Sequence, residues 1–169
     1  GLPYFIALLA GITVMTMMLV FGPHSSVHFN PAITLGMWTV RRIKTLPAIM
    51  HIAAQLLGGF AASYLFGYFV GGSNFGAPGQ FNKHILIGEA VGAFVFALAW
   101  AAVVYRKLEW SKAEATVGLA LILGMLVAAA AVGDPTKPSM AQGLINPAVA
   151  LGAKSWVWGT YVLGPILGS

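Results

Sequence analysis

The sequence predicts an all-α membrane protein, an inverted-repeat helical bundle with two re-entrant half-helices. Three observations carry that prediction. Of 169 residues, 59% are hydrophobic and 8% charged, where soluble domains carry about 25% charged residues. Four apolar runs approach or exceed the roughly 20 residues a spanning helix needs. Two short apolar segments repeat each other, one after the first run and one after the fourth.

Taken in order, the apolar runs are Leu2 to Gly22, Leu46 to Gly71, Ile85 to Tyr105 and Thr116 to Val132. None alternates with a strand's period of two, so each is read as a helix. A fifth apolar piece, Val157 to Ser169, is short for a crossing. The whole chain, 1–169, reads as one membrane domain. A net charge of +5 and a pI near 9.8 would suggest nucleic acid in a soluble chain. No basic patch interleaved with aromatics is present, so no nucleic-acid partner is expected and the charge is assigned to orientation in the bilayer. Threading the spans puts Arg41, Arg42, Lys44, Arg106, Lys107 and Lys112 on one face and Lys83, Lys137 and Lys154 on the other. Six against three makes the Arg41 and Arg106 loops cytoplasmic. The absence of cysteine rules out disulfides and thiolate metal sites. Residue 1 is glycine and no basic segment precedes the first run, so no signal peptide is read, and the chain reads as a fragment or a trimmed form.

The repeat carries the functional reading. Phe29-Asn30-Pro31-Ala32-Ile33-Thr34-Leu35-Gly36 matches Ile145-Asn146-Pro147-Ala148-Val149-Ala150-Leu151-Gly152, with Asn, Pro, Ala, Leu and Gly identical at one spacing. Hydrophobic segments this short suit half-helices, tolerated at membrane depth only when buried in protein or lining water. Three crossings separate the copies, so they enter from opposite faces and their N-termini converge near the midplane. Asn is a favoured helix cap and Pro a favoured first helical residue. Each start therefore presents unpaired backbone N–H groups and about half a positive elementary charge. Two such ends repel cations, and the amides of Asn30 and Asn146 offer donors to a passing oxygen. Passage of neutral molecules is the expected output.

These motifs resemble the aquaporin, or major intrinsic protein, family. His28 through Gly36 resembles the family's first signature, Ala54-Gln55-Leu56-Leu57-Gly58 the opening of its third span, Gly88-Glu89-Ala90-Val91-Gly92 its fourth and Gly164-Pro165 its sixth. The resemblance implies an aquaporin-like fold, passive passage of water and of small neutral solutes such as glycerol, and no cofactor, metal or catalysis. It also implies a homotetramer in a lipid bilayer, expected to be the plasma membrane, with the family's first span absent before Gly1 and its last cut at Ser169. Pro31, Ala32, Pro147 and Ala148 shape and stack the half-helix starts. Glu89 is expected to accept hydrogen bonds from the loop carrying Asn146, and His28 to brace the first half-helix. The four positions of the family's constriction align with Ala10, Met125, Gly143 and Val149. With Val149 where an arginine is typical, the filter is expected to be apolar and wide. Ala150 resembles water-selective members and Lys154 glycerol-conducting ones.

The remaining residues are read without special chemistry. His51 and His84 are assigned to interfacial span ends, and His24 borders the first half-helix. Ser25, Ser26 and Ser63 lack partners for nucleophilic catalysis. The intramembrane glycines are helix-packing sites, and the tryptophans other than Trp100 form an interfacial belt. Two alternatives remain open: an ion-coupled transporter with broken helices, for which only Glu89 would serve as a coupling acid, and a non-conducting structural membrane protein.

Overall fold

The computed structural model describes residues 2–22, 27–71, 80–130, 143–153 and 157–169. The readings placed on His24, Ser25, Ser26, Lys137, Lys154 and Trp156 lie outside these residues. The described residues form helices and connections only. Helices α1 (Leu2–Phe21), α3 (Thr45–Val70), α4 (Lys83–Arg106) and α5 (Trp110–Ala130) are long and apolar enough to cross a membrane. Helix α2 (Pro31–Thr39) lies between α1 and α3 in the chain and α6 (Pro147–Gly152) follows α5, each opening on its proline; a π-helical turn (Trp158–Val162) leads into α7 (Leu163–Gly168).

Two boundaries differ from the sequence reading, each for a local reason. Helix α5 begins six residues before the apolar run. Glu109 pairs with Lys112 at 3.0 Å, and the Glu109 carbonyl accepts from Ala113 N–H at 2.8 Å. A polar first turn is thereby closed outside the hydrocarbon, where hydropathy gives no sign of it. The last segment is wound more loosely at its start. Pro165 has no N–H to give the Tyr161 carbonyl and its ring crowds that turn; the widened turn across Trp158–Val162 absorbs the mismatch.

Packing follows small residues. Helix α1 lies on α5, and α5 on α4. At the α4–α5 crossing, Gly92 and Gly124 stand backbone to backbone: a β-carbon on Gly124 would lie 2.5 Å from the Gly92 carbonyl oxygen and 3.0 Å from Ile145 Cδ1. Such close approach is what glycine contributes where lipid supplies no hydrophobic drive between helices. Helix α3 packs on α6, and α7 on α4. One continuous core joins Met18, Met37, Phe96, Trp100, Val117, Met125 and Ile145. The outer faces carry large apolar side chains, with Leu57 69% and Tyr64 83% exposed, as lipid-facing surfaces require. The chain is therefore an all-α integral membrane protein.

The basic loops share a face. Arg42 lies over the Tyr105 ring at 4.5 Å, bringing the Arg41–Lys44 connection beside the end of α4. Arg41 and Lys107, the latter capping α4, take left-handed backbone angles with φ of 58° and 51°. Each puts positive charge at the carbonyl end of a helix, where the dipole favours it.

Candidate pore at the paired half-helices

Each half-helix is capped by its own asparagine. Asn30 Oδ1 accepts from Ala32 N–H at 2.9 Å; Asn146 Oδ1 accepts from Ala148 N–H at 3.0 Å and Val149 N–H at 3.4 Å. Proline at the first helical position removes a donor that would have had no partner there. The side-chain oxygens are thus committed to the caps, and the amide nitrogens are turned outward.

Those nitrogens tie the two copies together. Asn30 Nδ2 donates to the Ile145 carbonyl at 2.9 Å, and Asn146 Nδ2 donates to the Phe29 carbonyl at 2.9 Å. The exchange is reciprocal because Phe29 and Ile145 occupy equivalent places in the repeat. Both have positive φ, 51° and 41°, a conformation that costs a non-glycine residue about 1–3 kcal/mol. That strain directs each carbonyl at the opposite asparagine. Each amide has two N–H groups and spends one on this link. Asn146 lines the cavity described below, whereas Asn30 is enclosed at the junction.

The second loop is held by an acid. Glu89 in α4, 2% exposed, accepts from Leu144 N–H through Oε1 at 2.8 Å and from Ile145 N–H through Oε2 at 2.5 Å. The Ile145 side chain is fully buried and sits at the Gly92–Gly124 crossing. Ile145 is thus fixed by its N–H, its side chain and its carbonyl together.

In the first loop, His28 Nδ1 lies 3.2 Å from Thr34 Oγ1, which also receives Gln55 Nε2 at 3.0 Å and lies 3.1 Å from the Asn30 carbonyl. His28 packs edge-on to Trp100, ring centres 5.3 Å apart. This network joins the half-helix α2 to the span α3.

Beside the junction lies a cavity of about 840 Å³, open on one side and walled mainly by α3 and the two half-helices with their loops, with Ile6 and Phe21 of α1 at its edge. Asn146, Ala148 and Val149 line it, as do His28, His51 and Gln55. The helices flanking the two half-helices are not filled in alike. Helix α4 packs on both α5 and α7, whereas between α1 and α3 the space is this cavity, with Ile6 and Phe21 on one wall and Ala54, Gly58 and Ala62 on the other.

The expected site residues fall into three groups. Asn30, Pro31, Ala32, Asn146, Pro147 and Ala148 meet at the junction; Asn146 and Ala148 line the cavity while Asn30 is 1% exposed. Of the four constriction positions, Val149 is on the cavity wall and 46% exposed. Met125 is buried in the core and Ala10 packs against that same core. Gly143, with φ 55°, lies directly against the Met125 backbone. Glu89 and His28 anchor the two loops. Trp100 is in the core. His51, read as an interfacial residue, faces the cavity with its ring 5.9 Å from that of His28. The sequence signal for it was the spacing of His51 and Gln55, one helical turn apart and so on one face.

The profile of the major intrinsic protein family matches residues 4–169. Aquaporin Z of Photorhabdus laumondii is 28% identical over 183 residues, covering 96% of this chain and 77% of the relative. Aquaporin NIP1-1 of Zea mays is 31% identical over 172 residues, covering 97% of this chain and 58% of the relative. Aquaporin-5 of Ovis aries is 30% identical over 174 residues, covering 97% and 64%. The chain thus spans between 58% and 77% of the length of these three relatives. With the paired Asn-Pro-Ala half-helices inside a match that runs nearly end to end, the chain belongs to the major intrinsic protein family.

Proposed function

We propose that the chain forms the conducting core of a passive channel for water, and for small uncharged solutes with it. The observation that carries this is the reciprocal pairing of two asparagine-capped helix starts beside a cavity. Partial positive charge from both half-helices converges there, which disfavours cations, while the unspent N–H of the Asn146 amide, on the cavity wall, favours an oxygen acceptor. A water whose oxygen accepts from such donors is turned away from relaying a proton along the file, the logic established for pores of this kind. The family membership and relatives bearing the name aquaporin support the same reading. Val149, in place of a cation at the constriction, favours a broad apolar opening that admits solutes such as glycerol. We place the molecule in the plasma membrane as a homotetramer. We also read the lined space between α1 and α3 as the seat of a further helix of the full channel, in keeping with a six-span family fold.

Stopped-flow swelling of proteoliposomes holding the chain tests the proposal. Water permeability above that of empty liposomes, lowered by Asn146→Ala and indifferent to ion gradients, is the expected result. Uptake that requires a proton or sodium gradient would favour a coupled transporter. Permeability equal to empty liposomes would favour a structural role.

A further inference from the structure

Orientation in a bilayer asks for positive charge on the Arg41 side. It does not ask for that charge to gather at one spot, and here it does. The Arg41–Lys44 connection and the end of α4, far apart in sequence, meet where Arg42 lies over the Tyr105 ring at 4.5 Å. Ile43, set among the cations of that connection, packs against the buried core, as do Val103 and Val104 in the last turn of α4. Apolar contact thus holds the two segments together beneath their charges. Arg41, Arg42 and Lys44 from one, and Arg106 and Lys107 from the other, are all exposed. The acids of this face do not neutralise them. Glu109 is taken by Lys112 at 3.0 Å, the one ion pair among the described residues, and Glu114 pairs with neither segment. Five cations therefore stand together without a carboxylate.

Their depth is set by α4. Ile87, Val91, Phe94, Leu98 and Tyr105 are exposed and share one face of the helix by their spacing. From Ile87 to Tyr105 the helix rises about 27 Å, close to the roughly 30 Å of a hydrocarbon core, so Tyr105 falls at its boundary. Exposed Trp38 and Trp110 lie on the same side. The Trp38 indole N–H donates to Thr45 Oγ1 at 3.1 Å, and the Trp110 ring stands against Gly22, just past the end of α1. Such rings settle at headgroup level. The cations beside them are thus placed among headgroups, where phosphate is the anion at hand. A guanidinium presents a planar fork of donors matched to phosphate, and the ring beneath Arg42 limits the side-chain freedom that binding would otherwise remove.

We infer that Arg42, over Tyr105, and Arg106, next to Tyr105 in the chain, form with Arg41, Lys44 and Lys107 a binding site for the phosphate headgroup of an anionic phospholipid in the leaflet on that side. The site needs only the membrane placement of the helices and stands whether or not the chain conducts.

The test is native mass spectrometry of the purified chain in non-ionic detergent, titrated in turn with phosphatidylglycerol and phosphatidylcholine. Each cation near an anionic surface strengthens binding about fivefold. Expected is one tightly held phosphatidylglycerol per chain, weakened about fivefold in Arg42→Ala and about 25-fold in Arg42→Ala with Arg106→Ala, and unchanged in Lys83→Ala at the opposite end of α4. The substituted positions are exposed, so the fold is kept, checked by thermal melts in the same detergent; Arg106→Ala alone is the further variant. Equal binding of the two lipids, or phosphatidylglycerol held as tightly by the double variant as by wild type, overturns the site. Equal losses in Lys83→Ala and Arg42→Ala reduce the effect to net charge and overturn it too. Displacement of the lipid by an equal concentration of inorganic phosphate, or of a glutamate decapeptide, overturns the assignment to lipid in favour of a soluble anion or an acidic protein.

Discussion

Glu89→Ala should loosen the loop that carries Asn146 and lower both stability and water flux. Glu89 is 2% exposed and its two oxygens take the N–H groups of Leu144 and Ile145 at 2.8 and 2.5 Å. A hydrogen bond to a charged acceptor contributes about 1.5–3 kcal/mol, and a buried donor left without a partner costs about 1–3 kcal/mol. Removing the carboxylate strands two donors, so the loss is about 3–6 kcal/mol at most and less where water enters or the loop relaxes. Against a typical total of about 5–15 kcal/mol, that is a large share. Glu89→Gln keeps one acceptor and turns an N–H₂ toward the other donor, so it should lose about half as much. Denaturant titration in mixed micelles gives the stability order wild type, Gln, Ala, and proteoliposome swelling should follow it. Because Ile145 is strained at φ 41°, release of its N–H lets the carbonyl swing off Asn30. Equal stability and equal flux in Glu89→Ala and wild type would refute the reasoning.

Other consequences follow from single contacts. Gly124→Val places methyl groups against the Gly92 carbonyl and Ile145 Cδ1, and overpacking of this kind should cost about 1–3 kcal/mol in the same titration. Val149→Arg adds a cation and bulk to the cavity wall, so glycerol flux should fall more than water flux; equal falls would remove Val149 from the filter. Arg42→Ala removes a cation over Tyr105 on an exposed face, so stability should change by no more than about 1 kcal/mol.

Much of the fold is legible in the sequence because lipid is a simple solvent. Backbone polar groups must pair within each segment, so the long apolar runs could only be helices, and Asn-Pro repeated in matching octets fixed where the half-helices begin. The start of α5 was hidden because Glu109 and Lys112 pair with each other outside the hydrocarbon, and hydropathy reads charge as an end. The junction itself was legible only to the residue. Nothing local signals that Phe29 and Ile145 adopt positive φ; that conformation is imposed by the exchange with the opposite asparagine and, for Ile145, by Glu89 and the Gly92–Gly124 crossing. Met125 and Val149 show the same limit, since position along a helix does not say which of them meets the core and which the cavity. His51 is read from its place near a span end, where a histidine usually reaches the interface; that it also borders the cavity depends on how α3 sits against the half-helix loops, which hydropathy does not report.

The central claim is the mutual bond between the two half-helices, and solid-state NMR on the selectively labelled chain in bilayers measures it most directly. Distances from the Asn30 side-chain nitrogen to the Ile145 carbonyl and from Asn146 to Phe29 should both correspond to hydrogen bonds of 2.9 Å between nitrogen and oxygen. Two well-ordered asparagines, each out of reach of the opposite carbonyl, would contradict it.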